Sequence, residues 1–146
     1  MVVATGGKSV VKAALTSGKK SITAGPGNPP VVIDESADLA RAAEDVIEGA
    51  SFDNNLLCIG EKSLFVVDSV ANDVMQELNR SGGYILSANE LRSLETLLKD
   101  GAEKDFIGKD ATVILNAAKI NAPANVVAIV AEVDKDHIFV TDEYLM

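Results

Sequence analysis

The sequence predicts an α/β domain of three layers, with a mostly parallel sheet covered by helices. Short runs rich in valine and isoleucine alternate with stretches whose apolar residues recur at helical spacing. Clusters of Gly, Pro and Asn separate these runs. Strands that alternate with helices in this way are typical of parallel sheets. Apolar residues make up 47% of the 146 positions, which suits one domain with a sizeable core.

In the first half of the chain the apolar pattern predicts four strands and two helices. The strands are Val2–Ala4, Ser21–Thr23, Val31–Ile33 and Leu64–Val67. The first helix contains Val10 and Leu15. The second is predicted to be capped by Asp34 or Ser36, to carry acidic residues in its first turn, and to end near Ser51.

The second half continues the alternation. Ser69 is predicted to cap a helix that ends near Asn79. Ser87 and Glu90 have the spacing of a capping box for a helix over Leu91–Lys99. Another helix starts near Ala111. The strands of this half are predicted at Tyr84–Leu86 and Val126–Val133, with an acidic tail after the last one.

Charge and composition exclude several classes of function. A net charge of −9 repels phosphate backbones and anionic membranes, so we expect no nucleic acid and no membrane as partner. A single cysteine forms no internal disulfide and no Cys-rich site, so we expect no metal. Apolar runs are too short to cross a bilayer, and Met1 leads into apolar residues without a basic region. Both features favour the cytoplasm.

Cys58 is the strongest candidate for chemistry. It lies between a predicted helix and a predicted strand, after an Asn-rich turn, and loops of this kind often carry function. A cysteine nucleophile must reach its substrate and form a thiolate. The alternative is a small buried hydrophobic residue, because Leu57 and Ile59 surround it with apolar bulk.

Three other features are candidates, each with a plain alternative. The segment Gly25–Pro30 is a rigid turn that either walls a pocket or merely connects two strands. Thr5–Gly7 either presents backbone N–H groups to a ligand at a helix N-terminus or forms an ordinary turn. His137 either pairs with the cysteine in space or is a solvated loop histidine.

Three segments of the chain resemble the aldehyde dehydrogenases in order and spacing: Val3–Gly7, Ala24–Pro30 and Phe52–Ile59. They are most similar to the CoA-acylating branch, which makes acetyl-CoA or propionyl-CoA in ethanolamine and propanediol utilisation. Lys104–Ala111 and Ala131–Phe139 resemble that branch as well. The similarity runs over nearly the whole chain and implies the catalytic-domain fold of this family.

The resemblance also implies the roles of individual residues. Cys58 matches the nucleophile, which attacks a small aldehyde, passes hydride to NAD and forms a thioester that coenzyme A cleaves. The implied cofactor-binding residues are Thr5, Gly6 and Gly7 on the nicotinamide side and Glu143 at the nicotinamide ribose. The implied pocket loop is Gly25, Pro26, Gly27 and Asn28. Leu57 departs from the branch, which often has proline before the cysteine.

Ala24 stands where hydrolytic aldehyde dehydrogenases carry a general-base glutamate in a Glu-Leu-Gly-Gly motif. It lies 34 positions (58 − 24) before Cys58. Because alanine cannot activate water, a thioester there is expected to wait for a thiol. The resemblance therefore favours acyl transfer to coenzyme A over hydrolysis.

Members of this family are several times longer, so we expect residues 1–146 to be a catalytic-domain fragment that lacks the cofactor-binding domain and is inactive alone. Its parent is expected to be a homo-oligomer in the cytoplasm or in a bacterial microcompartment. Two other hypotheses remain open. One is a non-catalytic interaction or regulatory module derived from such a domain, and the other is a thiol acyltransferase that keeps only the thioester chemistry.

Overall fold

Six short strands form three parallel pairs in the computed structural model, which describes residues 1–144 and 146, and at residues 100 and 101 the backbone alone. The strands are β1 (Val2–Thr5), β2 (Ser21–Ala24), β3 (Pro30–Ile33), β4 (Ser63–Val66), β5 (Gly83–Ile85) and β6 (Ala128–Val130). The pairs are β1–β2, β3–β4 and β5–β6. Each pair encloses a helical crossover, as parallel strands require. This arrangement confirms the predicted α/β class, with the strands in three pairs.

Helices and 3-10 turns connect the strands. The helices are α1 (Lys8–Leu15), α2 (Leu39–Ser51), α3 (Ala71–Arg80), α4 (Ala88–Leu97), α5 (Ala111–Ala117) and α6 (Ile138–Thr141). The 3-10 segments are Phe52–Asn55, Asp68–Val70 and Lys99–Phe106. Among the described residues, no helix has both the length and the apolar run that crossing a bilayer requires.

Helix caps agree with the sequence in one case and differ in two. Ser87 and Glu90 form the predicted capping box at the start of α4. The cap of α2 is Asp38, whose side chain accepts from the Arg41 N–H, because Asp34 is already engaged by Ser36 in the preceding turn. As a result the first turn of α2 carries no acidic residue, contrary to the prediction.

The predicted cap at Ser69 is also wrong. Ser69 lies inside the 3-10 turn Asp68–Val70. Helix α3 starts directly after that turn, at Ala71, and has no side-chain cap. The turn fills the space between β4 and α3, so the helix begins later than the serine suggested.

The last strand is shorter than predicted, and the acidic tail that follows it contains a short helix. β6 covers Ala128–Val130 because its ladder with β5 ends where the Leu86 N–H bonds to the Val130 carbonyl. The chain then turns at Asp134, whose carbonyl accepts from the His137 N–H, and forms the short helix α6.

Two clusters of buried side chains make up the interior. The first joins α2 and α3 to β3 through Ile33, Ala43, Ile47, Val74 and Leu78. The second joins α4 and α5 through Leu86, Leu94, Leu98, Ile114, Leu115, Ala118 and Ile120. Residues 1–24 contribute to neither cluster, and Ala14 is the one buried hydrophobic residue in that stretch.

Two strand pairs expose apolar side chains on one face. Val32 and Phe65 are partners in the β3–β4 register and are 73% and 51% exposed. Val3 and Ile22 are partners in the β1–β2 register and are also exposed. These faces are suited to packing against another polypeptide.

Candidate active site

The segment of residues 24–30, named here the proline segment, connects the other parts of the candidate site. At its start, the Ala24 carbonyl accepts a hydrogen bond from the Gly6 N–H at 3.2 Å. At its end, the Pro29 carbonyl accepts from the N–H groups of Lys62 and Ser63, each at 3.2 Å. The segment is therefore more than a connector between two strands, because it links the Gly6 turn to the chain that follows Cys58.

Asn28 extends this linkage to the C-terminal part of the chain. Its side-chain amide donates to the carbonyls of Val140 at 2.8 Å and Asp142 at 2.9 Å. Both acceptors lie at the end of α6, where helix carbonyls lack partners of their own. Asn28 thereby fixes the backbone immediately before Glu143.

The turn before Cys58 has an unusual backbone. Asp53, Asn54 and Asn55 have φ angles of 51°, 52° and 57°, in the left-handed region. Such a conformation costs an L-residue about 1–2 kcal/mol, and aspartate and asparagine tolerate it best. The Asn54 amide holds the turn in place by donating to the Gly108 carbonyl and to the Asp110 carboxylate. Strain of this kind is characteristic of functional sites.

Residues 55–62, named here the thiol loop, carry Cys58 on a closed turn. The Asn55 amide donates to the Ala50 carbonyl at 2.8 Å and to the Glu61 carbonyl at 3.2 Å. Inside the loop, the Gly60 N–H donates to the Leu57 carbonyl at 3.1 Å. The Asn55 side chain therefore joins the two ends of the loop to each other and holds the loop to the last turn of α2.

Cys58 is exposed at the surface of this loop. Its neighbours Leu57 and Ile59 are exposed as well. The alternative hypothesis of a small buried hydrophobic residue is therefore wrong, because the tight turn of the thiol loop directs these residues away from the interior.

Lys62 is the charged residue that sequence reasoning missed in this loop. Its ammonium group donates to the Asn55 carbonyl at 3.0 Å, and the side chain is half-buried. Burial lowers the pKa of Lys62, whereas the charges of Glu143 and Cys58 oppose that shift. A charged pair, Glu61-Lys62, directly after an apolar run is the signal that could have identified it.

Glu143 lies within electrostatic range of Lys62. The residue is half-buried, and its Oε1 atom is buried without a hydrogen-bond partner among the described residues. A buried carboxylate oxygen of this kind is suited to accept a hydrogen bond from a ligand hydroxyl.

The Thr5–Gly7 turn adjoins the start of the proline segment. Thr5 is opposite Ala24 in the β1–β2 register, and the methyl group of Ala24 is exposed. Gly7 is the N-cap of α1, and its carbonyl accepts from the Val10 and Val11 N–H groups. The structure thus brings the first two sequence motifs into direct contact.

The predicted pocket is divided into two spaces. Gly25 and Pro26 line a shallow depression of about 350 Å³ against α1. A larger cleft of about 740 Å³ is lined by residues of β3, β4 and β6, and its polar lining includes Asn28, Asn55 and Lys62. Cys58, Gly27 and Thr5–Gly7 are not among the described residues that line either space. Asn28 is bonded to carbonyls at the end of α6, whereas Gly25 directly follows β2, so the two halves of the proline segment line different spaces.

His137 is not the solvated loop histidine of the plain alternative. It caps α6 by accepting from the Phe139 N–H at Nδ1, and its Nε2 lies 2.6 Å from the Glu95 carboxylate. Its side chain is 18% exposed. These bonds give His137 a structural role, joining α6 to α4.

The chain matches known proteins along its length. A model of the aldehyde dehydrogenase family matches residues 1–82. The propanal dehydrogenase (CoA-propanoylating) of Salmonella typhimurium is 47% identical over 145 residues, which cover 97% of this chain and 31% of that protein.

Solved structures give the same result. A propionaldehyde dehydrogenase from the Clostridium phytofermentans fucose utilisation bacterial microcompartment has a TM-score of 0.90 and 41% identity, covering 99% of this chain and 34% of that one. A Rhodopseudomonas palustris propionaldehyde dehydrogenase with bound propionyl-CoA has a TM-score of 0.88 and 40% identity, covering 99% and 33%. This chain spans about a third of the length of the proteins it matches. Since the family model covers more than half of its residues, the chain belongs to the aldehyde dehydrogenase family.

Proposed function

We propose that this chain is the thiol-bearing part of a CoA-acylating aldehyde dehydrogenase, an NAD-dependent oxidoreductase that converts a small aldehyde into an acyl-CoA. The observation that carries this proposal is Cys58, exposed on the thiol loop that hydrogen bonds of Asn55 and Lys62 close. The 47% identity to a CoA-propanoylating enzyme supports it. Because the chain spans about a third of that relative, we expect residues 1–146 alone to be inactive.

In this reaction the Cys58 thiolate attacks the carbonyl carbon of the aldehyde and forms a carbon–sulfur bond. The product is the anion of a thiohemiacetal, which loses a hydride from carbon to become a thioester on Cys58. When bound, NAD⁺ accepts the hydride and coenzyme A supplies the thiolate that takes the acyl group. Cleavage of the carbon–sulfur bond returns Cys58 to the thiolate.

Several residues of the chain fit a nicotinamide cofactor. The buried Oε1 of Glu143, unpartnered among the described residues, suits a hydroxyl donor such as the nicotinamide ribose. Gly7 offers backbone at the start of α1 without a side chain in the way, since nothing lies within 4 Å of a Cβ built there. We propose that Thr5, Gly6 and Gly7 contact the cofactor from one side and Glu143 from the other.

Ala24 supports acyl transfer over hydrolysis. It is exposed at the end of β2, next to the Thr5 turn, and a methyl group cannot remove a proton from water. The thioester on Cys58 therefore waits for a thiol, and a thiolate attacks it without help from an enzyme base.

A second candidate is a non-catalytic interaction module derived from such a domain. The exposed apolar partners Val32 and Phe65 favour it, because they offer a surface for another polypeptide. In the main proposal the same surface packs against the rest of the enzyme and its other subunits, in a homo-oligomer. That enzyme would work in the cytoplasm or in a microcompartment lumen.

The test replaces the matching third of the Salmonella typhimurium propanal dehydrogenase with this chain and follows NADH formation from propanal. Without coenzyme A, we expect a burst of about one NADH per Cys58 followed by slow turnover. Added coenzyme A should raise the steady rate by orders of magnitude. Equal steady rates with and without coenzyme A, with free acid as product, would contradict the acylating activity.

Two variants of the chimera act as controls. Cys58→Ala should abolish the burst, and a burst that persists would show that another residue is the nucleophile. Ala24→Glu should restore some hydrolysis if its carboxylate reaches the thioester, because a positioned base is typically worth about 10²–10⁴-fold. A chimera that folds and binds NAD⁺ but makes no NADH favours the interaction module.

A further inference from the structure

We propose that His137 is a positioning residue for Glu143: it holds helix α6 against helix α4 and thereby fixes the backbone that carries the Glu143 side chain. This inference rests on the proposed function, in which the Glu143 carboxylate contacts the nicotinamide ribose. The resemblance to the aldehyde dehydrogenases assigns His137 no part in the reaction.

Both ring nitrogens of His137 are bonded, each to a different helix. Nδ1 accepts from the Phe139 N–H at 3.2 Å, at the start of α6. A nitrogen that accepts carries no proton, so in the neutral ring the proton lies on Nε2, which donates to the Glu95 carboxylate at 2.6 Å. Because Glu95 belongs to α4, one side chain ties the first turn of α6 to a residue 42 positions earlier.

The bond between His137 and Glu95 is partly shielded from water, since the two side chains are 18% and 27% exposed. A hydrogen bond to an ionised group is stronger than one between neutral groups, and withdrawal from water strengthens it further. Helix α6 has only four residues, and the hydrogen bonds of so short a helix do not stabilise it alone. Its position therefore depends on such contacts with its surroundings.

A row of aromatic rings connects His137 to the residue that follows Glu143. The rings of His137 and Phe139 meet edge to face with centroids 5.0 Å apart, and those of Phe139 and Tyr144 do so at 5.2 Å. Edge-to-face packing is a favoured arrangement of aromatic pairs. Phe139 and Tyr144 also pack against the buried cluster that contains Leu115. The backbone directly after Glu143 is thus anchored through α6.

The backbone directly before Glu143 is anchored through the same helix. The Asn28 amide of the proline segment donates to carbonyls at the end of α6, among them that of Asp142 at 2.9 Å. The Oε1 atom of Glu143 is buried and has no partner among the described residues. A shift of α6 would therefore displace the oxygen that we propose to receive the ribose hydroxyl, and His137 opposes such a shift at the other end of the helix.

The test follows the NADH burst of the chimera described above at increasing concentrations of NAD⁺. The burst amplitude reports the number of active sites, and the NAD⁺ concentration at half the maximal burst rate reports how well the cofactor is held. His137→Ala should raise that concentration about threefold to tenfold, because a cap bond and a bond to a carboxylate are each typically worth a factor of this size. The amplitude should be kept, whereas a purely structural loss would lower the amplitude instead.

A double-mutant cycle tests whether His137 acts through Glu143. Glu143→Ala alone should raise the half-saturating NAD⁺ concentration, and His137→Ala added to it should raise that concentration no further. Glu95→Ala should behave like His137→Ala. Glu95→Gln keeps an oxygen that accepts from Nε2 and should resemble the chimera without substitutions. Ser93→Ala, an exposed position of the same helix α4, is the matched control and should change nothing.

A second measurement needs no cofactor and uses the 146-residue chain by itself. Hydrogen exchange at the amides of residues 139–142, measured by mass spectrometry, should be about threefold to tenfold faster in His137→Ala than in the unsubstituted chain. The amides of α3, which lie outside these contacts, provide the internal reference.

A folded His137→Ala chimera with a full burst and an unaltered half-saturating NAD⁺ concentration would overturn the proposal. Additive effects of His137→Ala and Glu143→Ala would also overturn it, because His137 would then act elsewhere. If His137→Ala does not fold, Glu95→Ala takes its place with the same expected result. A chimera without substitutions that gives no burst would contradict the proposed function. The exchange rates of α6 would then decide alone, and unaltered rates in His137→Ala would show that His137 does not hold this helix.

Discussion

Two regions of the chain are each built around a parallel β–helix–β crossover. Residues 1–24 are named here the N-terminal unit, and the cluster around Leu115 in residues 83–144 is named here the C-terminal core. They bury side chains to very different degrees. In the N-terminal unit Ala14 is the one buried hydrophobic residue, whereas the cluster of the C-terminal core has seven buried side chains among the described residues. Local pattern thus creates the strand pair, but burial depends on what packs against it.

Charge distinguishes the two regions as well. The N-terminal unit carries Lys8, Lys12, Lys19 and Lys20, all exposed, and no acidic residue, in a chain whose net charge is −9. The apolar partners Val3 and Ile22 are exposed beside them. The side chains of the C-terminal core pack against one another, whereas the N-terminal unit exposes charged and apolar surfaces that suit contact with another part of a larger enzyme.

The largest expected effect is a difference in the free energy of unfolding between two variants, each of which truncates one aliphatic side chain, in one region or in the other. Leu115→Ala removes a side chain with no exposed surface and should lower the free energy of unfolding by about 2–5 kcal/mol. Ile22→Ala removes a side chain that is 55% exposed and should cost less than about 1 kcal/mol. Urea unfolding of both variants measures the difference. Equal losses would show that the N-terminal unit is packed as tightly as the C-terminal core.

A smaller effect is expected at the capping box of α4. Ser87→Ala should cost about 1 kcal/mol at pH 7, because it removes the side-chain bonds between Ser87 and Glu90. The Ser87 hydroxyl, the Ser87 backbone N–H and the Tyr84 hydroxyl lower the pKa of Glu90 in the folded chain.

The sign of the pH dependence follows from that lowered pKa. The stabilisation is fully present above the ordinary pKa of glutamate, about 4.3, and is lost as the pH falls through the lowered folded value. The cost of Ser87→Ala should therefore shrink in acid, as measured by urea unfolding at pH 7 and at pH 3. A cost that is constant or grows toward pH 3 would contradict this account, with Ser93→Ala in the same helix as the control.

The smallest expected effect is a gain in stability. Lys119 has a φ of 61° just after α5, where its N–H bonds to the Asn116 carbonyl and the Ile120 N–H bonds to the Leu115 carbonyl. Glycine adopts this conformation without the steric cost of a side chain. Lys119→Gly should raise the free energy of unfolding by about 0.5–1 kcal/mol, which is measured as a higher midpoint of thermal unfolding. Lys119→Ala, which keeps a Cβ, should give no comparable gain, and a gain of equal size would exclude backbone strain as the cause.

Much of the fold was predictable because its signals are local. Every predicted strand is present within a few residues, and the Ser87–Glu90 box is formed as its spacing indicated. The cap of α2 was misassigned because Asp34, Ser36 and Asp38 all have suitable side chains, and only the folded turn selects among them. The helix α6 was missed because it is only four residues long and depends on His137 as its cap.

The candidate site was predictable only in its parts. The sequence by itself determined the α/β alternation and, through motifs that resemble one family, the assignment of Cys58, Thr5–Gly7 and the proline segment. The tertiary structure decided how these parts connect. The Asn28 amide donates to carbonyls 112 and 114 positions away, and the charge of Glu143 acts on Lys62, because chain folding brings distant segments together. No local pattern encodes such contacts, since their energy comes from partners that are far apart in the sequence.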